Sequence, residues 1–245
     1  MKIIVNGALG RMGGEVCRMV NDGARGATLA AKVDKFGTGE VFASVLNVTA
    51  EADVIIDFSH HSAVNELSSY AVEKGIPVVL ATTGHTEEEL AVIDEMAKKI
   101  PVFFSANMSL GVALLAQLAK QTVALFPDAD VEIIEKHHNR KLDAPSGTAL
   151  MLAKAIESVR RGAKFIYGRG GQQKREKDEI GIHAIRGGNI VGEHEILVIT
   201  DSQIITLKHE AQSRSLFAEG ALAAAEFIVG KSAGLYSMYD IAKGN

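Results

Sequence analysis

Five short apolar runs, Lys2–Val5, Leu29–Val33, Val54–Asp57, Val78–Ala81 and Val102–Phe104, alternate with amphipathic stretches through the first half of the chain. This alternation constrains the fold more than any other feature. Strands that are apolar at nearly every position are buried on both faces, and strands separated by helices run parallel. The stretches Arg11–Val20, Ser62–Glu73 and Glu87–Lys98 supply the covering helices. Thr86-Glu87-Glu88-Glu89 has the capping-box pattern, which predicts a helix start at Glu87.

After about residue 128 the pattern changes. We expect a strand at Val131–Ile134 and, past Pro145 and Gly147, a helix over Ala149–Val159. Strands follow at Ile182–Ile185, Ile190–Thr200 and Gln203–Lys208, joined as hairpins by turns at Gly187-Gly188-Asn189 and Asp201-Ser202. An apolar helix spans about Leu216–Val229. The expected fold class is therefore α/β: a Rossmann-type parallel-sheet nucleotide domain plus a smaller α+β domain with a mixed sheet.

Composition sets the outer limits. A length of 245 residues accommodates two modest domains, and 47% hydrophobic with 23% charged residues excludes a wholly disordered chain. The net charge of −4 provides no general attraction for nucleic acid or anionic lipid. The basic run Lys174-Arg175-Glu176-Lys177 is interrupted by acids and reads as a solvated loop. A single cysteine, Cys17, excludes an internal disulfide framework and a Cys-rich zinc module. Lys2–Val5 already reads as a strand, so no leader is expected. Val112–Phe126 is interrupted by Gln117, Lys120, Gln121 and Thr122, which makes it a core helix rather than a membrane span. A cytoplasmic protein without membrane or nucleic-acid partners is the expectation.

The 24 glycines are placed unevenly. Gly7, Gly10 and Gly13 follow the first strand and open the first helix, a variant of the dinucleotide-binding fingerprint. Glycines there allow a sharp turn and let the backbone approach a pyrophosphate held at the helix N-terminus. Ala8, Leu9, Arg11 and Met12 complete the loop, and Arg11 adds a positive charge. Asp34 closes the second strand, 21 residues after Gly13, where an acid accepts hydrogen bonds from the adenosine ribose. Lys35 follows and suits a 2′-phosphate, so both NADH and NADPH are expected to be usable. Thr82-Thr83-Gly84 and Asn107-Met108-Ser109 lie after the fourth and fifth strands, on the side of a parallel sheet where ligands bind.

The densest polar stretch runs from Glu135 to Thr148 and ends at a predicted helix start. Ser146-Gly147-Thr148 would present backbone N–H groups to a carboxylate. Lys141 offers a second positive contact or a proton, and His137 can exchange a proton near neutral pH. Together these suit a small anionic substrate that is protonated during reaction. Adjacent histidines project differently and no HExxH or Cys cluster supplies further ligands, so no metal is expected.

Glu135–Ala149 closely resembles the signature of the dihydrodipicolinate reductase (4-hydroxy-tetrahydrodipicolinate reductase) family, Glu-x-His-His-x-x-Lys-x-Asp-Ala-Pro-Ser-Gly-Thr-Ala. Gly7–Gly13, Asp57-Phe58-Ser59, Thr82-Thr83-Gly84, Asn107-Met108-Ser109 and Arg186–His194 are also similar to that family's pattern, so the resemblance covers essentially the whole chain. It implies NAD(P)H-dependent reduction of a small dicarboxylate substrate in lysine and diaminopimelate biosynthesis. The reduction converts 4-hydroxy-tetrahydrodipicolinate, through dihydrodipicolinate, to tetrahydrodipicolinate with loss of water. A dinucleotide-binding domain over residues 1–109 and 214–245 and a substrate-binding and tetramerisation domain over 110–213 are implied, with hinges near Ser109 and Arg214 and a homotetrameric assembly. His137 takes the proton donor/acceptor role and Lys141 the second proton-donor role. His138, Gly147 and Thr148 take the substrate contacts. Cofactor contacts fall on Gly7, Ala8, Leu9, Gly10, Arg11, Met12, Gly13, Asp34, Lys35, Ala81, Thr82, Thr83, Ser105, Ala106, Asn107 and Met108.

The chain departs from the family pattern at His85, where Phe is common, at Asn189 for a frequent Asp, and at Ala81 for a frequent Gly. Its 168–179 loop is also unusually charged. The alternative reading is another two-domain nicotinamide-dependent amino-acid or oxo-acid dehydrogenase, which would share the glycine loop but has no reason to carry the His-His-Lys stretch. A non-catalytic nucleotide sensor could likewise dispense with His137 and Lys141.

Overall fold

The computed structural model of the chain describes residues 1–243. These fall into two compact units, Met1–Leu110 with the segment from Ser215 onward, and Gly111–Arg214. The first unit begins with β1 (Lys2–Asn6), α1 (Arg11–Asn21), β2 (Thr28–Val33), β3 (Val41–Phe42), β4 (Val54–Asp57), α2 (Val64–Lys74), β5 (Val78–Leu80), α3 (Glu87–Ala97) and β6 (Pro101–Phe104). Then come α4 (Leu110–Leu125), β7 (Asp130–His137), α5 (Gly147–Glu157), β8 (Lys164–Tyr167), β9 (Glu179–Arg186), β10 (Gly192–Ile199) and β11 (Ile204–Ala211). The chain returns to the first unit with α6 (Ser215–Ile228), β12 (Gly234–Tyr236) and α7 (Met238–Ala242).

In the first unit seven strands form one sheet in the order β12-β6-β5-β4-β1-β2-β3. Every neighbouring pair is parallel. Ile3, Ile4, Val54, Ile55, Ile56, Val78, Val79, Leu80, Val102 and Phe103 are all inaccessible to solvent, as continuous apolar strands covered on both faces must be. One face packs its Ile4, Ile55, Val78 and Val102 against Leu67 and Tyr70 of α2 and Ile93 and Met96 of α3. Helix α6 packs against α1 and strands β4 to β6. Thr86 caps α3: its hydroxyl accepts the Glu89 N–H, and the Glu89 carboxylate accepts the Thr86 N–H, completing the capping box.

The second unit is built on a five-stranded mixed sheet in the order β11-β10-β7-β9-β8. β7–β9 and β8–β9 are parallel, whereas β10 is antiparallel to both β7 and β11. The Asp201-Ser202 turn joins β10 and β11 as an antiparallel hairpin, as expected. The hairpin expected at Gly187-Gly188-Asn189 does not form. β7 lies between β9 and β10, and the glycine turn crosses the end of β7, where the Gly187 N–H donates to the His137 carbonyl and the Asn139 N–H to that of Gly188. Local turn chemistry could not reveal that competing, distant strand.

The 168–179 loop also differs from a freely solvated segment. Arg175 pairs with Asp130 at 2.7 Å and Glu132 at 3.2 Å, and donates to the carbonyls of Val131 and Glu179. Short β3, β8, β12 and α7, of two to five residues, carry too little periodicity to be read from the sequence.

Within the first unit, α6 touches the loop after β6 at Gly220. A Cβ added there would lie 1.7 Å from the Met108 carbonyl oxygen. Alanine in a helix interior ordinarily gains about 1 kcal/mol over glycine, but a backbone clash outweighs this. Gly220→Ala should lower the thermal midpoint by roughly 4–8 °C, for ~2 kcal/mol lost in a chain of this size. Circular dichroism melting checks it, and a raised midpoint would contradict the clash.

Candidate active site

In the first unit the residues singled out for cofactor contact collect at the carboxyl ends of β1, β2, β5 and β6. Gly7 has φ +80°, and a Cβ there would lie 2.6 Å from the Phe58 carbonyl. At Gly13 a Cβ would lie 2.1 Å from the Gly7 oxygen. Any side chain at either position would fill the turn. The Gly7 and Ala8 N–H groups both donate to Val33 O. Gly10 begins α1 without a side-chain cap, and no acid lies in the first turn, so the start of the helix is suited to an anion. Arg11 is exposed beside it and Met12 is half-buried.

A cavity of about 690 Å³ opens beside this turn, lined by Gly7, Leu9, Gly10, Asp34, Lys35, Phe36 and His60 among others. The Asp34 carboxylate accepts the N–H groups of Leu9 at 3.2 Å and Phe36 at 3.0 Å, which binds the glycine loop to the end of β2. Lys35 Nζ lies 4.9 Å from the centre of the Phe36 ring. The glycine cradle, the uncapped helix start and the adjoining cavity fit the phosphates and adenosine of a dinucleotide.

The ends of β1, β4 and β5 are joined by a carboxylate that sequence reasoning had noted only as a motif match. Asp57 is buried and accepts from Asn6 Nδ2 at 2.7 Å, Ser59 Oγ at 2.6 Å and Thr82 Oγ1 at 2.6 Å. Burial pushes its pKa up despite these hydrogen bonds. Ala81 donates its N–H to Asp57 O, and Thr83 is exposed. In the next loop Ser105 Oγ donates to Asn107 O and the Ser109 N–H to Asn107 Oδ1, with Ala106 exposed and Met108 buried.

The second unit gathers a different chemistry at the end of β7. Side chains alternate across a strand, so Val131, Ile133, Glu135 and His137 share the buried face. Glu135 is wholly inaccessible and makes four hydrogen bonds. His137 Nδ1 lies 2.6 Å from Oε2, Arg186 donates to both oxygens at 2.8 and 2.7 Å, and the Ser146 N–H reaches Oε1 at 3.0 Å. Burial alone would raise the Glu135 pKa, but the bonds from His137, Arg186 and Ser146 outweigh it and hold the group down at about 2.

Ser146 is the N-cap of α5, its hydroxyl accepting the Ala149 N–H and lying 3.1 Å from His194 Nε2. Gly147, exposed, and Thr148 form the first turn, and a Cβ on Gly147 would meet no neighbour. His194 stacks edge-on to His137, with ring centres 5.2 Å apart. Burial, reinforced by the positive charge of His137, lowers its pKa to about 4. Lys141 pairs with Asp143 at 2.8 Å, and its charge also acts on His194. His138 lies 3.5 Å from Arg214, and burial with the cations of Arg140 and Arg214 lowers its pKa.

The structure thus brings His137, Lys141, His138, Gly147 and Thr148 into one region of the second unit. Sequence reasoning did not single out Glu135, Arg186 and His194. The two-residue spacing of Glu135 and His137 on a strand was an available signal, whereas Arg186 lies 51 residues from Glu135.

An all-parallel sheet with a glycine-lined dinucleotide cradle, joined to a mixed-sheet unit carrying a buried Glu–His pair beside a helix start, defines a two-unit nicotinamide-dependent oxidoreductase. Models described as dihydrodipicolinate reductase, N-terminus, and dihydrodipicolinate reductase, C-terminus, match residues 1–108 and 111–242. The chain belongs to the dihydrodipicolinate reductase family. It is 48% identical to the 4-hydroxy-tetrahydrodipicolinate reductase of Clostridium novyi over 99% of this chain and 98% of that one. The enzyme of the same name from Caldanaerobacter subterraneus is 46% identical, with the same coverage of both chains. Among solved structures, the dipicolinate-bound dihydrodipicolinate reductase from Paenisporosarcina sp. TG-14 superposes with a TM-score of 0.81 at 28% identity, covering 98% of this chain and 99% of that one. Among the described residues no helix is long and apolar enough to cross a membrane.

His194 and Glu135, both held below their ordinary pKa, give acid sensitivity of the same sign. Between pH 6.5 and about 4 the unfolded chain takes up a proton that folded His194 refuses, so stability falls as pH drops through that window. Below 4.5 the same holds for Glu135 down to about 2. Urea midpoints should therefore decline in two stages on acidification, and His194→Gln should flatten the upper one. A wild-type midpoint constant from pH 6.5 to 4 would contradict the burial of neutral His194.

Proposed function

We propose that this chain reduces 4-hydroxy-tetrahydrodipicolinate, through dihydrodipicolinate, to tetrahydrodipicolinate in the lysine and diaminopimelate pathway. The observation that carries the reading is the buried His137–Glu135 pair beside the start of α5, with Lys141 in the same region. A carboxylate of the substrate docks on the N–H groups of Gly147 and Thr148, where a charge-assisted bond is strong. His138 and Lys141 add positive or hydrogen-bonding contacts. In the first unit Gly7–Gly13, Asp34, Lys35, Ala81–Thr83 and Ser105–Met108 hold the dinucleotide.

When bound, the reduced nicotinamide supplies a hydride. The substrate's hydroxyl leaves as water together with a proton from the adjacent ring carbon, generating a conjugated cyclic imine. As the ring accepts the hydride, electron density moves toward its nitrogen side and requires one proton. His137 Nε2–H or Lys141 Nζ–H delivers that proton, leaving a neutral imidazole or amine that is reprotonated from solvent. The net change is loss of one water from the substrate and gain of one hydride and one proton by the ring.

Both NADH and NADPH serve as cofactor, since Asp34 suits a ribose and Lys35 a 2′-phosphate. Residues 1–109 with 214–245 act as the dinucleotide-binding domain and 110–213 as the substrate and tetramerisation domain. The protein works as a cytoplasmic homotetramer. The test is a coupled assay in which pyruvate and aspartate semialdehyde are condensed in situ and oxidation of each cofactor is followed. Oxidation of both is expected, and none with either would sink the assignment. His137→Ala and Lys141→Ala should each lower kcat by about 10²–10⁴-fold, the usual contribution of a general acid, with cofactor affinity nearly unchanged. Wild-type turnover in either variant would remove that residue from the proton path.

A further inference from the structure

The Glu135 carboxylate has no acceptor capacity left over. Oε2 receives His137 and Arg186, and Oε1 receives Arg186 and the Ser146 N–H, so the group cannot rotate without breaking a bond. Arg186 is itself fixed, since it also donates to the Asp143 carbonyl at 2.6 Å. An ionised carboxylate only accepts hydrogen bonds, so the proton in the 2.6 Å contact belongs to His137 Nδ1. That leaves Nε2 as the nitrogen with a replaceable proton. Its surroundings agree: Gly192 abuts this nitrogen, and a Cβ there would come within 3.1 Å of Nε2.

We propose that Glu135 is the positioning residue of the proton-transfer step, holding His137 in the single tautomer and orientation in which Nε2 exchanges the proton with substrate. The inference rests on the reading of His137 as proton donor. Being ionised at all working pH, Glu135 also stabilises the imidazolium before transfer, and it does not itself take the proton. The same carboxylate holds the Ser146 N–H, so one group aligns the proton source and the start of the carboxylate-binding helix. A counter-ion for Arg186 would need only the two guanidinium bonds. The third and fourth bonds, to the reacting histidine and the helix cap, are what a positioning role requires.

The test uses the full chain labelled with ¹⁵N-histidine, with the His137 ring signals assigned by comparison with His137→Gln. In the wild type the neutral ring should carry its proton on Nδ1. Glu135→Gln offers an amide that can donate as well as accept, and its neutral His137 ring should populate the Nε2–H tautomer. In that variant kcat should fall roughly 10²-fold, near the lower end of a general acid's contribution, with KM and NADH affinity much less affected. Glu135→Asp, which keeps the charge, should recover the Nδ1–H signal and part of kcat.

A wild-type ring protonated on Nε2, or a folded Glu135→Gln with wild-type tautomer and turnover, would overturn the proposal. Should Glu135→Gln fail to fold, the wild-type tautomer and Arg186→Lys decide. Arg186→Lys spares the His137–Glu135 bond and should keep the Nδ1–H form, and its loss there would transfer the holding role to Arg186. If the tautomers behave as stated but no variant or wild type reduces the dicarboxylate, the proposed reaction fails while the Glu135–His137 restraint stands.

Discussion

Removing the Glu135 carboxylate from water costs several kcal/mol unless every lone pair is answered, and in this fold the answers come from three separate parts of the chain. His137 answers from the same strand, Ser146 from the start of α5, and Arg186 from the end of β9. Satisfying one charge therefore fixes the end of β7, the segment before α5 and the glycine turn that crosses above them. His137, Ser146 and Gly147 stand on this framework. Their alignment is a by-product of a burial requirement, and it resists small disturbances because losing any one partner leaves a buried charge exposed to its cost.

The first unit solves a different problem, close approach of backbone to backbone. Gly7, Gly13 and Gly220 each occupy places where a single added carbon would strike a neighbouring carbonyl group. A dinucleotide needs the backbone at its phosphates, and the parallel sheet delivers its strand ends to one edge. The net charge of −4 does not oppose this, since the uncapped start of α1, Arg11 and Lys35 place positive potential beside the glycine turn. Local placement outweighs the total.

Elements with strong local signals were legible in the sequence. Parallel strands announced themselves because both faces are buried, and Thr86 with Glu89 sufficed to locate the start of α3. The His137–Lys141 region was legible because its residues are adjacent in the chain. What stayed hidden depends on distant partners. The Gly187-Gly188-Asn189 turn reads locally as a hairpin, and only the insertion of β7 between β9 and β10 shows otherwise. Arg175 reads as a solvated cation until Asp130 and Glu132 are placed against it. Glu135 reads as one more polar residue until Arg186 arrives from 51 positions away.

This chain carries hydride to a small cyclic dicarboxylate and a proton to the same ring. Reduced nicotinamide dinucleotide deuterated at C4, supplied with substrate formed in situ, tests it most directly. Deuterium from the transferring face should appear on a ring carbon of tetrahydrodipicolinate, read by NMR, while the second hydrogen comes from solvent. Cofactor oxidation with no deuterium in the product, or product formed without cofactor oxidation, would contradict it.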